Sequence, residues 1–162
     1  MRWIAALCVG SALTLAGCSS PSTPSSQQAQ MKTWVNQTGF GPVVGTLEND
    51  ARSATQVLAS GAGVNAAHTV CAVLLLDAEN ANNNLPTPNQ NTSMLLSKAY
   101  GDLGAAATSC YRAPKSTSAQ RAFLKNRNRG LAFLVEGQAT IEAALGTPIS
   151  TSTTADNGST AQ

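Results

Sequence analysis

Charge is scarce in this chain. Asp, Glu, Lys and Arg make up 11% of its 162 residues, against roughly 25% in an ordinary globular protein. Ten basic and eight acidic residues leave a net charge of +2, which excludes a strongly electrostatic nucleic-acid binder. Two Trp, two Tyr and three Phe are too few for a platform of stacked bases. One histidine, His68, excludes His-rich metal clusters and leaves little for histidine catalysis. No G-x-S-x-G elbow, glycine-rich phosphate loop or paired acidic motif occurs. Nothing reads as strands bounded by hairpin turns. What is present is an apolar share of 43%, on a length that suits one domain.

Most telling is the N-terminus. Arg2 gives a minimal positive region, and Trp3 to Ala16 form an apolar run broken only by Gly10, Ser11 and Thr14. That run is shorter than the about 20 residues of a membrane span and fits an export signal. It ends in Leu15-Ala16-Gly17-Cys18, an aliphatic residue, two small ones and a cysteine. These four positions resemble the lipobox of bacterial lipoproteins. The resemblance implies cleavage between Gly17 and Cys18, lipidation of the Cys18 sulfur, and attachment to the extracytoplasmic side of the cell membrane. The small residues let an extended segment enter a peptidase groove, and the thiol is the nucleophile for a thioether. On this reading residues 1–17, with Cys8, are discarded. Residues 18–26, rich in Ser and Pro, are a lipidated flexible tether, and 27–146 are the folded domain. The Ser/Thr-rich stretch 147–162 is a disordered tail.

Between the tails the apolar spacing is helical throughout. A segment near Gln27–Thr38 stops at Gly39. Pro42 sits in the first turn of a second helix, on which Val43, Val44, Leu47, Ala51, Ala54 and Leu58 fall within about 100°. Glu48 and Arg52 are spaced for an ion pair on its surface. Asn65 is the expected cap of a third helix, apolar nearly all round and so the expected centre. Asn80 to Asn89 forms a connection containing Pro86 and Pro88. A fourth helix covers about Asn91–Tyr111 and a fifth about Ser118–Leu145, stopped by Gly146. The fold class expected is all-α: a small antiparallel bundle of four to five helices.

Cys71 and Cys110 lie on apolar faces of consecutive helices, and the lipobox places both in an oxidising space where disulfides persist. An inter-helix bridge is the expectation; two separately buried thiols are the alternative. Because the two cysteines stand at unequal distances from Leu85, a bridge requires the connection to run back along the bundle. The pattern Cys71 … Leu85-Pro86-Thr87-Pro88-Asn89 … Leu103 … Cys110 is similar to small exported helical proteins and lipoproteins of actinobacteria, which are mostly uncharacterised; the resemblance covers about 40 residues and implies the fold and the bridge only.

No catalytic, cofactor or metal site is expected. His68 has no metal-ligating partners at helical spacing, and haem ligation with Met94 is outweighed by the ordinary use of Met as core filler. Asp50, Asp77, Asp102, Glu136 and Glu142 are scattered singly. From Leu103 to Val135 six basic residues meet no acidic one, and Arg121, Lys125 and Arg129 share one helical face. The plain reading is a solvated face; the functional one is contact with anionic lipid headgroups or an acidic envelope protein. Arg127 falls inside the apolar arc of its helix, so either the helix is disturbed near Gly130, or Arg127 snorkels past the core rim, or it pairs with a carboxylate from another helix. The leading expectation is a lipid-anchored binding or scaffold module of the cell envelope. The alternative is a small carrier holding an apolar ligand among Leu74, Leu96, Leu103 and Leu134.

Overall fold

The computed structural model describes residues 24–152. Gly17, Cys18 and the expected export signal lie outside the described residues, as does 153–162. The described chain forms α1 (Pro24–Thr38), α2 (Phe40–Ser60), α3 (Val64–Asn82), α4 (Gln90–Arg112) and α5 (Thr117–Leu145), with one 3-10 turn at Ala113–Lys115. No strand occurs among the described residues, so the fold is the all-α bundle expected.

Local chemistry sets the helix ends. Gly39 alone separates α1 from α2 and turns the chain with φ +59°, a left-handed conformation open chiefly to glycine. Asn89 caps α4 by accepting the Thr92 N–H at 3.0 Å, and Ser116 caps α5 by accepting that of Ala119. Asn65 is not the cap of α3: the helix starts one residue before it, behind Gly63. α1 also begins earlier than expected, so Pro24 to Ser26 belong to the helix and not to the tether.

The helices pack in the order α2, α3, α4, α5, each against the next, with α1 closing the end formed by the start of α2 and the end of α5. There the Trp34 indole N–H donates to the Asn84 carbonyl at 3.0 Å and its ring lies 5.5 Å from that of Phe40. The central helix is α4 and not α3. Both helices have a neighbour on two sides, but α4 buries Leu96, Ala99, Tyr100, Leu103, Ala106, Ala107 and Cys110, whereas α3 buries one narrow edge and leaves Val73 43% and Leu76 58% exposed. An all-round apolar sequence made α3 look interior, but only its Ala67, Cys71, Leu74, Ala78 and Ala81 edge is enclosed.

Close packing of α4 on α5 rests on notches. Leu96 sits over Gly137 and Leu103 over Gly130, each pair one heptad from the other. A Cβ at Gly137 would lie 2.6 Å from Leu96 Cδ2, and one at Gly130 would lie 2.9 Å from Leu103 Cγ and 3.0 Å from the Ala99 carbonyl. α5 passes through Gly130 without a break.

The α3–α4 connection runs back beside the first turns of α4, as the cysteine register demands. Leu85 and Pro86 face Gln90, Ser93 and Ser97. Thr87 ties the loop down: its N–H donates to Ser93 Oγ at 2.8 Å and its hydroxyl to the Asn89 carbonyl at 2.7 Å.

Residues 147–152 differ from the expected disordered tail. Ile149 packs on the core, and its N–H donates to Glu142 Oε1 at 3.0 Å. The strap then crosses α2 so closely that a Cβ at Gly41 or Gly45 would lie 2.2 or 2.1 Å from the carbonyl oxygens of Ser150 and Thr151. Composition concealed this because the seat belongs to α2: two glycines one turn apart provide the groove.

Candidate functional site

Cys71 and Cys110 form a disulfide between α3 and α4, with Cα atoms 5.7 Å apart. Both are fully buried beside Ala54, Leu74 and Phe123, so the bridge is a structural staple with no exposed sulfur.

Arg121, Lys125 and Arg129 are all exposed on α5. The structure corrects the view that their field is uncompensated. Arg129 forms a bidentate pair with Asp102 of α4, Nε donating to Oδ2 at 2.5 Å and Nη2 to Oδ1; hydrogen bonding and charge from Asp102 hold the guanidinium above its usual pKa. Asp102 immediately precedes the acid-free stretch in sequence, and the antiparallel packing of α4 on α5 brings it back beside Arg129. The free part of the basic face is therefore Arg121 and Lys125.

His68 stacks on Tyr111, rings 3.7 Å apart and 8° from parallel, with Nε2 3.1 Å from the Tyr111 carbonyl oxygen. The contact pins α3 to the end of α4. Among the described residues no three His, Cys, Asp or Glu side chains come together as a metal site.

Asp50 and Asp77 do not stand singly. They meet across the α2–α3 interface, and Asp50 Oδ2 is buried without a hydrogen-bond partner. Burial first, then the Asp77 carboxyl beside it, pushes Asp50 up to about 6. Two carboxylates so placed repel, whereas one proton between them lets Asp50 donate to Asp77. Their wide separation in the chain gave no signal of this.

Arg127 does snorkel. Its Nη1 donates to Thr55 Oγ1 at 2.5 Å, Nε and Nη2 donate to Asn128 Oδ1 at 3.1 and 2.6 Å, and the guanidinium lies 5.9 Å from the centre of the Phe123 ring. It stands at one end of a cleft of about 400 Å³ between α2 and α5. The expected Glu48–Arg52 ion pair is not formed; Arg52 donates to Asn49 Oδ1 at 3.1 Å. A second cleft of about 730 Å³ lies where α1 and the start of α2 meet the strap, with Lys32, Val35, Pro42 and Ile149 on its walls.

Leu74, Leu96, Leu103 and Leu134 are fully buried, two of them seated in the glycine notches. No described helix is long and apolar enough to cross a membrane. Set against family models, curated proteins and solved structures, the chain has no match in any of the three.

Proposed function

We propose that this protein is a lipid-anchored, extracytoplasmic binding or scaffold module of the cell envelope, held to the membrane through Cys18. The observation that carries the binding part is the filled interior. Leu96, Leu103 and Leu134 are buried in one core cluster, with Leu96 and Leu103 over Gly137 and Gly130, and Leu74 is buried in a second cluster beside the disulfide, so the interior-carrier alternative has no such support. Recognition then belongs to the surface, where Arg121 and Lys125 offer an exposed basic face for anionic headgroups or an acidic protein. The anchor rests on Leu15-Ala16-Gly17-Cys18. Two or more acyl chains give durable attachment at about 0.8 kcal/mol per buried methylene.

The test has two arms. Metabolic labelling with a fatty-acid analogue is expected to mark the wild type and not Cys18→Ser; equal labelling sinks the anchor. Cross-linking in intact cells, read by mass spectrometry, is expected to join peptides containing Lys125 to a recurrent envelope component. Loss of that product in Lys125→Ala alone would be trivial, since the reactive amine is gone. The decisive variant is therefore Arg121→Ser, which keeps Lys125; an unchanged yield removes the basic face from the proposal.

A further inference from the structure

The cleft between α2 and α5 has an unusual distribution of charge. Along α5, Arg127, Leu131 and Val135 follow one another at single-turn spacing on the same wall. α2 runs antiparallel to α5, since each neighbouring pair in the series α2, α3, α4, α5 reverses direction. Thr55 thus stands opposite Arg127 and Glu48 opposite Val135, with Ala51 and Arg52 between them. One end of the cleft is cationic, the middle is floored by Ala51 and Leu131, and the far end is apolar with an acid at its rim.

Arg127 has a full positive charge and only neutral partners: Thr55, Asn128 and the Phe123 ring. Arg52, across the cleft, likewise touches only Asn49. The one ion pair among the described residues is Arg129 with Asp102, so Glu48 makes no ion pair with either arginine. The snorkelling guanidinium of Arg127 thus reaches the rim of the cleft with no anion on it, and its planar fork matches carboxylate and phosphate oxygens alike. Val135 remains 58% exposed, an apolar wall with no side chain over it. The distance along α5 from Arg127 to Val135 is about 12 Å, and the cleft volume falls within the roughly 300–1,000 Å³ usual for small-ligand sites.

We infer that the α2–α5 cleft binds a single-chain amphiphile, its anionic head on Arg127 and Arg52 and its alkyl chain along Leu131 and Val135. Glu48 sets the polarity, because an anionic head at its end of the cleft would be repelled. The Thr55 hydroxyl orients the Arg127 fork toward the head. This site is independent of the Cys18 anchor and of the Arg121–Lys125 face, so its failure leaves both standing.

The chain from Ser19 to Gln162 retains every residue of the described fold. Calorimetric titration of that chain would use laurate, dodecyl phosphate and uncharged dodecanol, all below their aggregation limits. Backbone amide shifts recorded alongside locate the ligand. Saturable one-to-one binding of laurate or dodecyl phosphate is expected, with shifts at Arg52, Thr55, Arg127 and Leu131. The stronger of the two arms identifies the head as carboxylate or phosphate. Dodecanol, lacking the charge, should bind about tenfold or more weakly, as should the anionic ligand to Arg127→Gln. Val135→Glu, an exposed change that leaves the arginines intact, should weaken it comparably and guards against a folding defect in Arg127→Gln. Absence of saturable binding by both anions overturns the inference, as does equal binding of dodecanol, unchanged affinity in both variants, or shifts confined to the cleft beside Lys32 and Ile149.

Discussion

Asp50 shows what one side chain can do to this protein. An aspartate titrates near 3.9 when unfolded and at about 6 in the fold. The folded state therefore holds more protons than the unfolded state between those values, and its stability falls as pH rises through them. Below the unfolded value both states are protonated and the favourable contact is fully present; above about 6 the carboxylates repel. Asp50→Asn removes the repulsion without removing a donor. It should raise stability at pH 7 by about 1 kcal/mol, less than full linkage would give because solvent screens a part-exposed carboxylate. At pH 4 the gain should vanish. Urea unfolding at the two pH values checks this, and an equal gain at both would rule out the shared proton. Glu142 acts oppositely: hydrogen bonds from Gln138 and then from the Ile149 backbone lower its pKa, so the strap's tie is present in the ionised form and weakens as falling pH protonates it.

Between helices the glycines differ by position, and substitution separates them. Alanine is favoured over glycine in a helix by up to about 1 kcal/mol. At Gly101 on α4 a new Cβ meets nothing within 4 Å, so Gly101→Ala should stabilise by about that amount. At Gly130 the new methyl would press on Leu103 and on the Ala99 carbonyl, and overpacking of this kind costs about 1–3 kcal/mol. Gly130→Ala should therefore destabilise despite better propensity, and opposite signs in paired denaturant melts are the expected result. Gly45→Ala is a third case. Its Cβ would collide with the Thr151 carbonyl oxygen, so the strap should lift from α2 while the bundle persists. Faster proteolysis after Thr147, with unchanged helical circular dichroism, is the measurable outcome; unchanged proteolysis would mean the strap adapts. These roles were not legible beforehand, because a glycine inside a helix reads the same whether a leucine, a carbonyl or solvent lies over it.

The fold as a unit depends on its staple. Cys71 and Cys110 are 39 residues apart in sequence, and closing such a loop stabilises by about 4 kcal/mol in the chain-entropy model, a large part of a total of about 5–15 kcal/mol. Cys71→Ala should lower the melting temperature by about 10–20 °C with the helical spectrum retained; a fall of a degree or two would show that the buried sulfurs contribute as packing alone. The bridge also fixes the register of α3 on α4, which the proline-containing connection then follows. Helix existence and most helix ends were readable in order along the chain. Gly39 and Gly146 act on backbone groups within a turn of themselves, and such local chemistry needs no partner from elsewhere, whereas the caps at Asn89 and Ser116 start their helices one residue before the expected Asn91 and Ser118. The apolar faces of α2, α4 and α5, and the placement of Cys71 and Cys110 on apolar faces, follow from helical periodicity, whereas the meeting of the two sulfurs needs the register of α3 on α4. Tertiary structure alone decided that α4 and not α3 is the centre, that Asp102 neutralises Arg129, that Asp50 meets Asp77, and that Ile149 and its neighbours settle on α2. Each of these depends on the rotation and spacing of two helices distant in sequence, and those are set where Leu96 and Leu103 enter the notches at Gly137 and Gly130.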